Sequence, residues 1–256
     1  MSDYEQFIEG IKRRTGIDLS LYKEAQMKRR LTSLYEKKGY RNFVDFLGAL
    51  ENNRDLMNEF LDRMTINVSE FYRNRKRWDV LQNRIFPMLL QQNKRPKIWS
   101  AACSTGEEPY SLAMVLSHHV PLSQINILAT DLDENVMQKA KLALYPERSL
   151  AEVPKDIQAK YFDKEGSFYK VKDEIKRTVT FKKHNLLKDH YGVGYDLIVC
   201  RNVMIYFTEE AKDNIYSQFS KALRPGGILF VGSTEQIFNP AQYDFEVEDT
   251  FFYRKL

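Results

Sequence analysis

A run of small residues, Ser100 to Gly106, is the feature of this sequence that most constrains its fold. The apolar pair Ile98 and Trp99 before the run favours a β-strand. Pro109 after it suits the first turn of a helix, where its missing N–H group costs nothing. A strand, a tight turn and a helix form the kind of junction at which open α/β sheets bind ligands. Taken alone, the segment is equally compatible with a connecting loop that binds nothing.

The chain after Lys97 alternates strands with helices, which predicts a parallel, doubly wound α/β sheet of the Rossmann-like type. Predicted strands cover residues 97–100, 125–130, 178–182, 196–200 and 228–231, predicted helices cover 109–119, 134–143 and 208–223, and a last hairpin covers 245–254. Residues 147–177 interrupt this alternation with a polar stretch of about 30 residues, which is long for a plain loop. We therefore predict a small inserted β-subdomain there, with 168–171 as one strand.

Residues 1–75 predict an all-α N-terminal domain, because apolar side chains recur there at helical spacing. Gly16 and Gly39 mark two helix ends, and Asn42 is the predicted N-cap of a third helix. Ser69 is predicted to cap a further helix. That linker helix includes residues 76–96, and it precedes the α/β domain, predicted at residues 97–256.

Composition limits the cellular compartment and the classes of protein that fit this sequence. No run approaches the ~18 apolar residues of a membrane span, and the first residues lack the basic and apolar regions of a signal peptide. The sequence has two cysteines, too few for a disulfide framework. We expect a cytoplasmic protein with reduced thiols. No Cys/His cluster has zinc spacing, so no metal is expected.

Positive charge is concentrated near the N-terminus. Between Lys12 and Arg41, ten basic residues are interrupted by three acidic ones, although the net charge of the chain is only +4. The predicted second helix carries five of these basic residues, namely Lys28, Arg29, Arg30, Lys37 and Lys38. Such a field attracts nucleic acid, an anionic membrane or an acidic protein surface. A solvated helix face without a partner is the alternative.

Asp131 closes the predicted second strand, about 25 residues after the small-residue turn, where dinucleotide-type folds bind ribose hydroxyls. The turn lacks the pattern G-x-G-x-x-G, which argues against a pyrophosphate held on the glycine backbone. Glu107 and Glu108 add negative charge where phosphates would be repelled. The ligand is therefore expected to carry a nucleoside but no phosphate. S-adenosylmethionine (SAM) fits, because it has ribose hydroxyls, a cationic sulfonium and an ammonium group.

Four motifs occur in a fixed order: Asn67-x-Ser69-x-Phe71-x-Arg73, the segment from Ser100 to Tyr110, Asp131, and Arg201-Asn202-Val203-x-Ile205-Tyr206-Phe207. Each motif is weak alone, but together they resemble the CheR family of chemotaxis receptor methyltransferases, which use SAM. The resemblance covers nearly the whole chain. The cofactor-binding residues expected from it and from the turn are Asn67, Ser69, Arg73, Gly106, Glu107, Asp131, Asn185, Leu186, Arg201 and Asn202.

The resemblance implies methyl transfer to glutamate side chains in the cytoplasmic helical domains of methyl-accepting chemotaxis receptors. The products would be glutamyl methyl esters and S-adenosylhomocysteine. A glutamate with a pKa near ~4.3 is already ionised at pH 7 and needs no general base. We hypothesise that Arg73 and Tyr206 orient the incoming carboxylate and do not activate it. In some family members the inserted subdomain binds a peptide at the receptor's C-terminus, and whether this insert does so stays open.

The basic helix is predicted to dock on acidic receptor helices. A monomer is expected, recruited from the cytoplasm to membrane receptor arrays, without nucleic acid and without membrane insertion. Two alternatives remain. An RNA methyltransferase would use the same SAM-binding fold and would bind RNA phosphates with the basic helices. A SAM-sensing or receptor-binding adaptor would bind without turnover.

Overall fold

The N-terminal part of the described chain is a bundle of α-helices around aromatic side chains. The computed structural model describes residues 2–65 and 68–256. Phe7 packs against Phe43 and Phe60, with ring centroids 5.1 and 5.9 Å apart. The predicted all-α character of this part is confirmed. Its helices are α1 (Asp3–Thr15), α2 (Glu24–Lys37), α3 (Phe43–Asn52) and α4 (Arg54–Met64), with a 3₁₀ turn at Leu19–Leu21.

The predicted capping signals operate in this bundle. Gly16 ends α1 at φ 74°, in the left-handed region that glycine adopts without strain. Gly39, at φ 82°, follows the end of α2. At the start of α3, Asn42 Oδ1 accepts a 2.8 Å hydrogen bond from the amide of Asp45. The N-terminal helices therefore begin and end close to where local chemistry predicts.

The linker helix begins at Arg75, so the prediction that Ser69 caps it is wrong. Packing explains the difference. The Phe71 ring lies edge-on to Tyr145, with centroids 4.8 Å apart, and the Phe71 amide donates to the Ser149 carbonyl at 3.1 Å. These contacts draw the chain toward the inserted segment and off a helical path. A continuous helical segment then contains α5 (Arg75–Val80), a π-helical turn (Leu81–Ile85) and α6 (Phe86–Gln92).

The remaining described residues form α/β structure. Its strands are β1 (Ile98–Ala101), β2 (Ile127–Asp131), β3 (Leu144–Pro146), β4 (Phe162–Glu165), β5 (Phe168–Val171), β6 (Val179–Lys183), β7 (Tyr195–Cys200), β8 (Leu223–Val231), β9 (Phe245–Asp249) and β10 (Phe252–Lys255). Its helices are α7 (Glu107–Leu116), α8 (Glu134–Leu142), α9 (Lys155–Tyr161), α10 (Asp173–Lys176) and α11 (Glu209–Ala222), with 3₁₀ turns at Leu122–Gln124, Glu147–Leu150, Met204–Tyr206 and Pro240–Tyr243.

A mixed sheet runs in the order β6-β2-β1-β7-β8-β10-β9 through the described part of the chain. The first five of these strands are parallel, and the terminal hairpin adds antiparallel strands at one edge. The predicted α/β sheet is thus confirmed. Strand β2 starts later than predicted, because Ile125 is held in a turn by a 3.0 Å bond from its amide to the Leu122 carbonyl. None of the helices in residues 2–65 and 68–256 is both long and apolar enough to cross a bilayer.

A small antiparallel sheet, in the order β3-β5-β4, interrupts the main sheet between α8 and β6. Tyr145 pairs with Tyr169, and Val171 pairs with Phe162. The strand expected at 168–171 is its centre. The sheet begins at Leu144, earlier than the predicted insert, because β3 is recruited as an edge strand.

The helical part joins the sheet through the segment before α2. Tyr22 and Phe207 form an antiparallel bridge, and their rings pack edge-on with centroids 5.1 Å apart. The Lys23 amide donates to the Tyr206 carbonyl, and the Thr208 amide donates to the Leu21 carbonyl, both at 2.9 Å. The start of α2 is therefore hydrogen-bonded to the loop that follows β7.

Candidate active site

A cleft opens at the carboxyl ends of the parallel strands, between the sheet and the helical part. Its empty space is about 980 Å³, including the solvent at its mouth. The segments after β1, β2, β6 and β7 form its floor, and Tyr22, Met64 and residues 68–70 belong to its rim. This is the position at which open α/β sheets bind ligands.

The small-residue turn forms one wall of the cleft. Ala102 and Ser104 have φ of 59° and 49°, so the backbone is tightly curled. The Cys103 amide donates to the Thr130 carbonyl at 2.9 Å, which ties the turn to β2. Since the side chains are short, the backbone of the turn is open to a ligand.

Gly106 ends this turn but does not line the cleft. It has φ 95°, and a Cβ there would lie 2.8 Å from Cβ of Ala140 and 3.1 Å from the Tyr145 hydroxyl. Close packing of the turn against Ala140 of α8 therefore requires glycine. The predicted role of Gly106 in binding cofactor gains no support from its position.

Asp131 lies at the end of β2, facing the turn. Its Oδ2 accepts a bond from the Ser104 amide at 2.8 Å, and its Oδ1 accepts one from the Asp133 amide at 3.0 Å. Burial raises the pKa of Asp131 to about 6, and the backbone bonds oppose that shift. Each carboxylate oxygen retains a lone pair for a further donor. Asp131 is thus placed to accept bonds from ligand hydroxyl groups.

The two glutamates at the start of α7 face different surroundings, because successive helix residues point about 100° apart. Glu107 is buried and accepts hydrogen bonds from Thr105 Oγ1, at 2.6 Å, and from the Ser69 side chain. Glu108 lines the cleft and accepts a 2.8 Å bond from Ser100 Oγ. Burial raises the pKa of Glu108 to about 7, against the attraction of Arg201. The sequence motif led to Glu107, but the residue that reaches the cleft is Glu108.

Arg201 is a buried arginine behind Arg73. Its Nη2 donates to the Arg73 carbonyl at 2.8 Å, and its guanidinium lies 4.8 Å from the centre of the Phe230 ring. Its Nη1 is 3.8 Å from Glu108 Oε2. Burial lowers the pKa of Arg201. Arg201 therefore fixes the backbone from which the Arg73 side chain enters the cleft.

Arg73 and Tyr206, the two residues expected to orient the acceptor, both line the cleft. Arg73 Nη1 donates to the Val68 carbonyl at 3.3 Å. The Arg30 guanidinium from α2 lies over the Tyr206 ring, 4.7 Å from its centre. Arg30 was predicted as a docking residue, and its position gives it a direct contact with the site as well.

Asn185 and Leu186 follow β6 and also line the cleft. Asn185 Oδ1 accepts a 2.9 Å hydrogen bond from the backbone amide of Leu187, and the backbone amide of Asn185 donates to Asp189 Oδ2 at 2.8 Å. The cleft brings together most of the predicted site residues: Ser69, Arg73, Asp131, Asn185, Leu186, Arg201, Asn202 and Tyr206. Asn67 lies outside the described residues.

Two residues at or beside the cleft, Tyr22 and Glu235, were not predicted, and Glu108 was predicted only as a source of negative charge near the cleft. Tyr22 lines it, but nothing in its local sequence shows that the segment before α2 crosses to the sheet. Glu108 shares a motif with Glu107, and only the helix phase separates them. Glu235 accepts a hydrogen bond from the backbone of the loop after β7. In the sequence, this role is indicated only by an acidic residue three positions after Gly232, at the end of a strand.

The basic helix lies beside the mouth of the cleft. Lys28, Arg29 and Lys37 are exposed on α2. Lys38, which follows the end of α2, is also exposed, and its Nζ pairs with Glu59 at 2.6 Å. A second, shallower groove shares Thr65 with the cleft and adds an arginine from α4. The residues of this groove are Arg29, Arg30, Ser33, Asp62, Arg63 and Thr65.

The sheet and the cleft together define a SAM-dependent methyltransferase: an acid ends β2, a curled turn of small residues follows β1, and buried carboxylates suit a cationic ligand. Within the described ranges, no group of three or more His, Cys, Asp and Glu side chains is arranged to hold a metal ion. Residues 67–252 match the family model "CheR methyltransferase, SAM binding domain", and residues 2–65 match "CheR methyltransferase, all-alpha domain". The chain belongs to the CheR methyltransferase family, and SAM is its cofactor.

Relatives that resemble this chain over nearly its full length carry one functional name. A chemotaxis protein methyltransferase of Listeria innocua is 45% identical over 254 residues, covering 99% of this chain and 97% of the relative. One from Borreliella burgdorferi is 36% identical over 236 residues, covering 87% and 83%. Chemotaxis protein methyltransferase 1 of Pseudomonas aeruginosa is 34% identical over 251 residues, covering 93% and 91%. The family predicted from the four motifs is thus confirmed.

Proposed function

We propose that this protein transfers the methyl group of SAM to glutamate side chains on the cytoplasmic helical domains of chemotaxis receptors. The products would be glutamyl methyl esters and S-adenosylhomocysteine. One observation carries the proposal. Arg73 and Tyr206, a cation and a phenol, line the same cleft as Asp131 and the small-residue turn. The names of the relatives support chemotaxis as the process.

The cofactor side of the proposed site consists of Asp131, the turn at residues 102–104, and Glu108. Asp131 would accept hydrogen bonds from the ribose hydroxyls. The curled backbone of the turn would lie against the ligand, and the buried carboxylates would favour its positive charge. Bound SAM supplies an activated methyl group on a sulfonium, which leaves as a neutral thioether.

On the acceptor side, the glutamate needs no general base, because it is ionised at neutral pH. One carboxylate oxygen forms the new C–O bond, the C–S bond breaks, and its electron pair goes to sulfur. No proton moves. The transition state loses charge, so a strong ion pair with the acceptor would stabilise the ground state more than the transition state. Arg73, which also bonds the Val68 carbonyl, and Tyr206 would therefore act by orienting the carboxylate.

The basic helix α2 would bring the acceptor to the cleft. Lys28, Arg29 and Lys37 are exposed on α2, and Lys38 follows its end, so their positive charge would attract the acidic surface of receptor helices. Such docking would recruit the protein to membrane receptor arrays. It leaves no need for nucleic acid as a partner or for membrane insertion.

The test is a transfer assay with SAM labelled in the methyl group. Membranes containing methyl-accepting receptors and total RNA are offered as separate substrates, and the Asp131→Ala variant gives the background. We expect label on receptor protein, released by alkali as volatile methanol, since methyl esters hydrolyse in base. Base-stable label on RNA would replace this proposal with the RNA methyltransferase. Tight SAM binding without transfer to either substrate would favour the adaptor.

A further inference from the structure

Glu235 lies behind the cleft, and only 4% of its surface is exposed. Its Oε1 accepts hydrogen bonds from the backbone amides of Val203 and Met204, each at 2.7 Å. Its Oε2 accepts bonds from the amides of Asn202, at 2.7 Å, and Gly232, at 2.8 Å. One carboxylate thus pairs four backbone donors, three of which are consecutive residues of the loop after β7.

The loop after β7 depends on such an acceptor. Asn202 has φ 62°, in the left-handed region that side chains with a Cβ adopt at a cost. At this bend the amides of three consecutive residues, Asn202, Val203 and Met204, all donate to Glu235. Buried amides require partners, and an ionised carboxylate accepts more bonds than a neutral side chain offers. The charge and the reach of Glu235 both match this requirement.

Gly232 leaves the space that the carboxylate occupies. A Cβ at this position would lie 2.5 Å from Glu235 Oε2 and 2.9 Å from the Asn202 amide nitrogen. Gly232 does not have a positive φ, so its backbone conformation is open to alanine. Space for the carboxylate is therefore the reason for glycine here.

We propose that Glu235 is a positioning residue for methyl transfer. It fixes the backbone of residues 202–204, and the Tyr206 amide donates to the Val203 carbonyl at 3.2 Å, so that Asn202 and Tyr206 face the cleft in one arrangement. The inference rests on the proposed function, because it concerns the loop that carries the Tyr206 side chain. Glu235 itself touches neither cofactor nor acceptor, since it does not line the cleft.

Glu235→Gln tests the proposal directly, because an NH₂ group replaces one acceptor oxygen and then faces two backbone amides, at least one of which belongs to the loop. We expect hydrogen exchange at the amides of residues 202–204 to accelerate at least about tenfold, while β1 and β7 keep their protection. The kcat per SAM-binding site, with sites counted by calorimetry, is expected to fall roughly 10- to 100-fold. Glu210→Gln, which changes an exposed acid in the first turn of α11, is the matched control.

Gly232→Ala is the second variant. It keeps the Glu235 carboxylate but displaces it, and it tests the proposal if Glu235→Gln does not fold. The same local loss of protection and the same fall in kcat per site are expected. Unchanged exchange at 202–204, or a lower Tm with normal kcat per site, would overturn the inference. A wild-type protein that methylates no receptor would refute the proposed function instead, and the exchange data would still report on Glu235.

Discussion

The proposed cofactor half and the proposed acceptor half of the cleft are built in different ways. The cofactor half is a turn and an aspartate on adjacent parallel strands, and Ser104 and Asp131 are joined by one 2.8 Å bond. The acceptor half brings Arg73 and Tyr206 together from distant parts of the chain, with Arg30 of the helical bundle over the Tyr206 ring. The first half depends on the strands and on α7, whereas the second depends on the contact between the sheet and the helical bundle.

The two halves also differ in charge. Buried carboxylates with raised pKa values, Asp131 and Glu108, lie on the cofactor side. The cations Arg73 and Arg30 lie on the acceptor side, next to the basic face of α2. In the proposed arrangement, a cationic ligand and an anionic acceptor would each meet groups of opposite charge. It follows that changes in the first half should alter SAM affinity, and changes in the second should alter kcat or the acceptor KM.

Asp131→Ala is expected to have the largest effect. It removes the proposed acceptor of the ribose hydroxyls and also the partner of the Ser104 amide. Hydrogen bonds to a charged group contribute about 1.5–3 kcal/mol each, so the Kd for SAM should rise roughly 100-fold by calorimetry. Asp163→Ala, at an exposed position in β4, is the control. Wild-type affinity in Asp131→Ala would exclude this residue from the cofactor half.

The pH dependence of SAM binding is the next largest effect. Burial raises the pKa of Asp131 to about 6, so the ionised form that suits a cationic ligand is lost as the pH falls below that value. At pH 5 about nine-tenths of the carboxylate is protonated, and the Kd for SAM should be about tenfold higher than at pH 7. The free energy of unfolding of the ligand-free protein is expected to have the opposite pH dependence. The raised pKa of Asp131 in the folded state adds stability at low pH, and this contribution is lost as the pH rises through about 6.

Glu108 complicates this titration, because burial raises its pKa to about 7. Asp131→Asn separates the two carboxylates. Its SAM affinity should be lower at every pH, and its remaining pH dependence should belong to Glu108, with a midpoint nearer 7. An Asp131→Asn variant with the wild-type titration curve would show that Asp131 does not control affinity in this range.

The same contrast explains what the sequence predicts well. The turn, the strands and Asp131 follow from local patterns, since small residues, apolar runs and a strand-ending acid are contiguous in the chain. The prediction of Ser69 as a helix cap was wrong. Phe71 packs on Tyr145, a residue distant in the chain, and this contact takes the backbone off a helical path. Glu107 was expected to bind cofactor because of the family resemblance, and the helix phase, which the sequence motif does not show, makes Glu108 the acid that lines the cleft. Tyr22 and Arg30 reach the site only through the contact between bundle and sheet.

Tyr206→Phe is expected to affect the acceptor half alone. Removing the phenol oxygen deletes one orienting hydrogen bond, which contributes about 1 kcal/mol, so kcat should fall about fivefold while the Kd for SAM stays unchanged. Tyr169→Phe in β5 of the inserted sheet is the control. The measurement is steady-state methylation of receptor membranes together with calorimetry. An altered SAM affinity with normal kcat would move Tyr206 to the cofactor half.

Arg30→Ala and Lys37→Ala divide the basic helix into two functions, with the smallest expected effects. Arg30 lies 4.7 Å from the centre of the Tyr206 ring, and such a contact is worth about 0.5–1 kcal/mol when partly exposed. Its loss should lower kcat roughly threefold. Lys37 is exposed near the end of α2, and its loss should raise the receptor KM about twofold, less so at high salt, because exposed charges are screened. If Arg30→Ala and Lys37→Ala raise the receptor KM equally and leave kcat unchanged, Arg30 contributes only to receptor docking. The proposed acceptor half would then not depend on α2.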